Sequence, residues 1–190
     1  MYKNICFFCG SNSGRDNAFA EQTRKLIRYI KKNNYNIVYG GGKIGLMGVV
    51  AEEGMKQGIE VTGIMPKFLI DKEIGNDEIS RLIEVRNMSE RIQEMLRISE
   101  GFVVLPGGFG TYEEFFEILS WSQMGLHKKP IGLLNINGFF NPLEKLLEGC
   151  INSGFAPKEN MNLFILEDDP EQLMKKIQDF HHTMPNKYVN

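Results

Sequence analysis

The segment Pro106-Gly107-Gly108-Phe109-Gly110-Thr111 joins an unbroken apolar run, residues 102–105, to a stretch in which Phe115, Phe116, Leu119 and Trp121 recur at helical spacing. That pattern predicts a strand buried on both faces, a glycine turn, and a helix beginning at about Thr111. The first N–H groups of a helix lack intrahelical partners and carry the positive end of the helix dipole, so a phosphate fits in front of them. Glycines let the main chain approach such a ligand closely, and Thr111 can add a hydroxyl. Thr111-x-x-Glu114 also has the form of a capping box, in which the two side chains only satisfy the helix end. The three-glycine turn and the second acid, Glu113, favour a ligand. Arg91 falls in the first turn or so of the preceding helix, and such an arginine on its own is more often a surface charge. With Glu113 and Glu114 around a phosphate cradle, it would suit cleavage of a bond in a nucleotide.

These residues need a scaffold. Residues 3–9, 36–39 and 61–65 predict strands, with helices over 18–33 and 46–57 between them. Residues 66–81 have no clean period and are assigned to an excursion over the mouth of the sheet. A short strand at 82–85 follows. Asn87 and Glu90 then open a helix to about residue 100, Asn87 as N-cap and Glu90 as its capping partner. After the glycine turn come a strand at 130–135, a helix at 140–152, a last strand at 163–167 and a closing helix at 170–181, with Pro170 in its first turn. Residues 183–190 read as a loose C-terminal tail. Alternating strands and helices predict an α/β, Rossmann-like three-layer fold: a mostly parallel sheet, helices on both faces, and one domain over residues 1–182. Ligands of such sheets bind beyond the carboxyl ends of the strands. Three of those ends carry glycine loops, at residues 10–14, 40–45 and 107–110, which should converge on one crevice.

A chain of 190 residues, 42% hydrophobic and with net charge −2, has enough apolar material for a real core and no electrostatic reason to seek nucleic acid or an anionic membrane. The expected partner is a small molecule. Three cysteines make no disulfide framework. Cys6-x-x-Cys9 lies inside an apolar run with no second pair to complete a metal site, so both read as buried small hydrophobes. No apolar run approaches about 18 residues and no signal peptide is evident. A reducing, cytoplasmic location is expected.

Gly40-x-Gly42-x-x-Gly45 matches the dinucleotide fingerprint in form. It follows the second strand, however, and the acid about 20 residues on, Glu60, precedes the third strand instead of ending it, which argues against a nicotinamide cofactor. Gly42-Lys43 is followed by Ile44, so there is no phosphate-loop NTPase signature. His127, His181 and His182 lack metal-ligand spacing. Neither a catalytic metal nor a cofactor is expected.

Tyr39-Gly40-Gly41-Gly42 with Gly45-Leu46-Met47-Gly48, the segment Met88-Ser89-Glu90-Arg91, and above all the run from Pro106 to Glu114 resemble the "lonely guy" family of cytokinin-activating phosphoribohydrolases, whose signature is P-G-G-x-G-T-x-x-E. The likeness extends over most of the chain. It implies a homodimer and hydrolysis of N6-substituted adenosine 5′-monophosphates, often AMP too, to free base and ribose 5-phosphate. On matching positions it makes Arg91 and Glu114 the catalytic pair. The expected substrate-binding set is Gly107, Gly108, Phe109, Gly110, Thr111 and Tyr112 around the phosphate, Glu113 on a ribose hydroxyl, Gly41 and Gly42 on the opposite wall, and Met88 or residues 65–68 near the base. Met88 and the 65–68 segment also fit simple packing. The family's M-H-x-R-K reads Met88-Ser89-Glu90-Arg91-Ile92 here, replacing histidine by serine and lysine by isoleucine. Molybdenum-cofactor carriers resemble the same fold and glycine turn without turnover, and form the alternative.

Overall fold

The computed structural model describes residues 3–72 and 75–182; the expected loose tail lies outside the described residues. Seven parallel strands form one sheet in the order β4-β3-β2-β1-β5-β6-β7, comprising β1 (Lys3–Phe8), β2 (Tyr35–Tyr39), β3 (Val61–Pro66), β4 (Arg81–Val85), β5 (Gly101–Val104), β6 (Ile131–Leu134) and β7 (Ile165–Glu167). Each crossover carries a helix: α1 (Ala18–Lys32), α2 (Gly45–Lys56), the short α3 (Lys67–Ile70), α4 (Met88–Ile98), α5 (Phe109–Gln123) and α6 (Asn141–Asn152), with α7 (Pro170–Gln178) closing the chain.

The strands are apolar without alternation because the sheet is covered on both faces. In β1, Ile5 and Phe7 face one core, where Leu26, Ile27 and Ile30 of α1, Val50 of α2 and Leu173 and Met174 of α7 pack. Cys6 and Phe8 face the other, shared with Ile92 and Met95 of α4, Phe115 and Ile118 of α5 and Leu143 of α6. Cys6 and Cys9 are both buried, as small hydrophobes would be.

Strand order fixes the binding crevice. The chain winds outward from β1 through β2 and β3 to β4, then returns to place β5 on the other side of β1. The crossovers therefore diverge between β1 and β5, and a crevice opens beyond the carboxyl ends of these two strands. The 66–81 excursion covers the loop after β2: Asn76 N donates to Gly41 O at 2.8 Å, and Gly42 forms an antiparallel bridge with Gly75. Its aperiodic sequence hid α3, a single turn entered directly from Pro66.

Among the described helices only α4 and α7 have an N-cap side chain bonded to the helix start; α1, α2, α3 and α6 lack one, as α5 does. Asn87 caps α4, its side chain accepting from Glu90 N at 2.9 Å, while the Glu90 carboxylate reaches past it to Arg86 N. Asp169 caps α7 likewise. No side chain caps α5, whose N-cap is Gly108.

Candidate active site

The three glycine loops meet. Gly10 N donates to Pro106 O at 3.1 Å and Met47 N to Gly10 O at 3.2 Å, tying the loop after β1 to the starts of α5 and α2. Contact is close enough to require glycine: a Cβ on Gly107 would lie 2.1 Å from Thr111 Oγ1 and 2.8 Å from Gly10 N. Above them opens a cleft of about 600 Å3, within the size range of ligand sites. Its lining includes Ser11–Ser13, Gly107–Thr111, Arg91 and Glu114. Around Gly108 and Gly110 an added Cβ would meet nothing within 4 Å, and Phe109 is 96% exposed. The backbone at the start of α5 is thus open to a ligand, with the N–H groups of its first turn uncapped by any side chain.

Helix α5 begins at Phe109, two residues before the expected start, because Gly108 and Gly110 give no helical signal although their backbone adopts the helix readily. That shift removes the capping box. Thr111 is the third helical residue and Glu114 sits in the second turn, where its carboxylate is held elsewhere: Glu114 Oε1 pairs with Arg91 Nη1 at 3.1 Å. Arg91 is anchored in turn, Nε donating to Ile64 O at 3.0 Å and Nη2 to Gly40 O at 3.2 Å, the carbonyls at the ends of β3 and β2. Nη1 also reaches Met88 Sδ at 4.0 Å, so these contacts engage four of the five guanidinium N–H groups. The Arg91 and Glu114 side chains are only 10% and 13% exposed. Burial pushes the Glu114 carboxyl up to about 7, with Glu113 and Glu117 adding to the rise and Arg91 opposing it. A carboxyl poised there can exchange protons near neutrality.

Residues 47–177 match the model of the family described as "Possible lysine decarboxylase". Cytokinin riboside 5′-monophosphate phosphoribohydrolase LOG5 of Arabidopsis thaliana is 38% identical over 94% of this chain and 78% of its own length. The probable phosphoribohydrolase LOGL2 of Oryza sativa subsp. japonica is 35% identical over 94% and 73%. The chain belongs to the LOG family. Among solved structures, the molybdenum cofactor binding protein of Rippkaea orientalis superposes with a TM-score of 0.71 at 18% identity, over 94% of this chain and 97% of that one. The molybdenum cofactor carrier protein of Chlamydomonas reinhardtii gives 0.67 at 18%, over 95% and 100%. At that identity they share the fold alone.

In this LOG-family chain the anticipated site residues divide into three groups. Arg91, Glu114, Gly107, Gly108, Phe109, Gly110 and Thr111 line the main cleft. Met88 and Glu113 line a second hollow of about 210 Å3, which also contains Ser89, Ile92, Met95 and Glu117 and has Arg91 and Glu114 in common with the cleft. Tyr112 turns its ring onto Phe140, centroids 6.4 Å apart, and Gly41 and Gly42 lie under the 66–81 excursion. Ser89 and Ile92, where the chain departs from the family pattern, therefore border the hollow, and neither lines the cleft. Sequence reasoning missed the aromatic wall opposite, where Phe19 and Phe139 meet edge-on at 5.9 Å. Its only signal was that both follow loops at strand carboxyl ends, Phe19 in the first turn of α1 and Phe139 just after β6. No helix among the described residues is long and apolar enough to cross a membrane.

Proposed function

We propose that this chain is a phosphoribohydrolase that cleaves the N-glycosidic bond of adenosine 5′-monophosphates, N6-substituted ones included, to free base and ribose 5-phosphate. The buried Arg91–Glu114 pair, held at the edge of a cleft whose floor is an uncapped helix start, carries this reading. Relatives at 35–38% identity with phosphoribohydrolase names support it. The 5′-phosphate docks on the N–H groups at the start of α5, with the Thr111 hydroxyl beside them. Breaking the C1′–N9 bond sends its electron pair to the base and leaves positive charge on the ribose, which the Glu114 carboxylate stabilises. Water then adds to C1′ and gives its proton to Glu114, and a proton returns to the departing base. Arg91 holds the carboxylate in place and keeps one N–H group for a substrate oxygen.

We place the enzyme in a reducing cytoplasm, consistent with three free thiols among the described residues, and as a homodimer, for which the exposed Phe116, Leu146 and Phe155 offer apolar surface. Incubation with AMP and with N6-isopentenyl-AMP, followed by chromatography, tests the activity: adenine and isopentenyladenine appear, and Glu114→Gln lowers the release of both by about 10² to 10³. No base from either nucleotide with the native protein would overturn the reading. Light scattering tests the dimer.

A further inference from the structure

The two cavities share a wall, and that wall is the Arg91–Glu114 pair. Both cavities are therefore lined by the two groups assigned to the reaction. The cleft offers the uncapped backbone of α5 and takes the phosphate and sugar. The hollow, at about 210 Å3, is below the ~300 Å3 at which sites for whole small ligands begin, so it suits a fragment. Its walls have two kinds of surface. Met88 of α4 is exposed, apolar and polarizable, fit to pack on a flat ring, with the buried Ile92 and Met95 behind it. Opposite them, Glu113 and Glu117 lie one turn apart on α5, and neither has an ion-pair partner among the described residues. The only cation in the hollow, Arg91, is committed to Glu114. Burial and the neighbouring Glu113 raise the Glu117 carboxyl above the usual range, the mark of an acceptor short of donors.

We propose that the second hollow holds the leaving base, and that Glu113 and Glu117 select bases carrying an exocyclic amine by accepting its N–H. This rests on the hydrolase reading and deepens it. An amine at purine C6 presents a donor to these carboxylates, as does an N6-substituted adenine, which keeps one N–H. A carbonyl there presents an acceptor and faces like polarity. Glu113 thus contacts the base, not a ribose hydroxyl.

AMP and IMP, identical but for the group at C6, provide the test. Steady-state hydrolysis by the full chain should favour AMP. Glu113→Gln and Glu117→Gln should each narrow the AMP/IMP ratio of kcat/KM roughly tenfold, as expected for loss of a charge-assisted hydrogen bond, while inhibition by ribose 5-phosphate stays within about twofold. A ratio unchanged in both variants overturns the proposal. So does a parallel weakening of ribose 5-phosphate, or a change of preference confined to Phe139→Leu on the aromatic wall of the cleft. If the native protein hydrolyses no nucleoside monophosphate, the hydrolase reading fails on its own. Calorimetry then decides this one: adenine binding more tightly than hypoxanthine, with the difference lost in Glu117→Gln, supports it, and equal binding overturns it.

Discussion

Two glycine turns of similar sequence, one after β2 and one after β5, are built for opposite purposes. At the β5 turn, a Cβ on Gly108 or Gly110 would meet empty space, so the room the glycines leave stays open to the cleft. At the β2 turn, a Cβ on Gly40 would lie 2.2 Å from Arg91 Nη2, and one on Gly42 2.9 Å from Met47 Cε, so the room is already taken by the protein's own side chains. The Gly40-x-Gly42-x-x-Gly45 pattern copies a dinucleotide fingerprint, yet its first glycine admits an arginine. A glycine motif reports close approach; only the neighbours reveal what approaches.

Substitutions that treat the turns alike should separate them. Gly40→Ala has the largest expected effect: the methyl drives the Arg91 guanidinium off Gly40 O, overpacking costs about 1–3 kcal/mol in chemical denaturation, and base release falls at least a hundredfold. Glu114→Gln next removes the carboxylate on the β5 side of the pair. Base release falls by about 10² to 10³ in a kinetic assay, while Tm by calorimetry moves within about 3 °C, because burial already disfavours the charged carboxylate and a Gln amide oxygen can still accept from Arg91. Gly110→Ala should act in the other direction on stability, gaining up to about 1 kcal/mol from helix propensity, while the methyl in front of the phosphate raises KM about tenfold.

Smallest is the effect of pH. With the Glu114 carboxyl at about 7, hydrolysis should be half-maximal near pH 7 and fall about tenfold per unit below it in a pH–rate profile. The stability effect has the opposite sense. A carboxyl raised on folding stabilises the native state below its unfolded value, and that contribution is lost as pH rises from about 4.5 through 7. Glu114→Gln should flatten both curves. Retention of the acidic limb in that variant would assign it to another group.

Sequence periodicity located the strands and main helices because each buries a continuous or amphipathic face. A mostly parallel sheet followed from their alternation, and so did the meeting of the three loops; the structure pairs all seven strands in parallel. Local signals failed where tertiary contacts decide. Thr111 and Glu114 carry a capping pattern, but helix α5 starts two residues earlier and an arginine from another helix holds Glu114. Tyr112 sits within the signature yet packs on Phe140, a partner 28 positions away that no spacing rule finds. The 3-10 turns at Ile136–Gly138 and Lys158–Leu163 are too short to impose a period. That Ile92 borders the hollow and not the cleft depends on how α4 sits against α5, which one helix's sequence does not contain.

Strand β1 lies between two partners of very different origin: Ile5 aligns with Ile37 on one side and with Gly101 on the other. Contacts of such long sequence separation form late and slow folding. A growing polypeptide that has not yet reached residue 101 can pair β1 on one edge only, leaving the other bare and the crevice without its second wall. Competence to hold a nucleotide should therefore arise as a single event near the end of folding, making ligand capture a sensitive timer of when the central strand acquires its last neighbour.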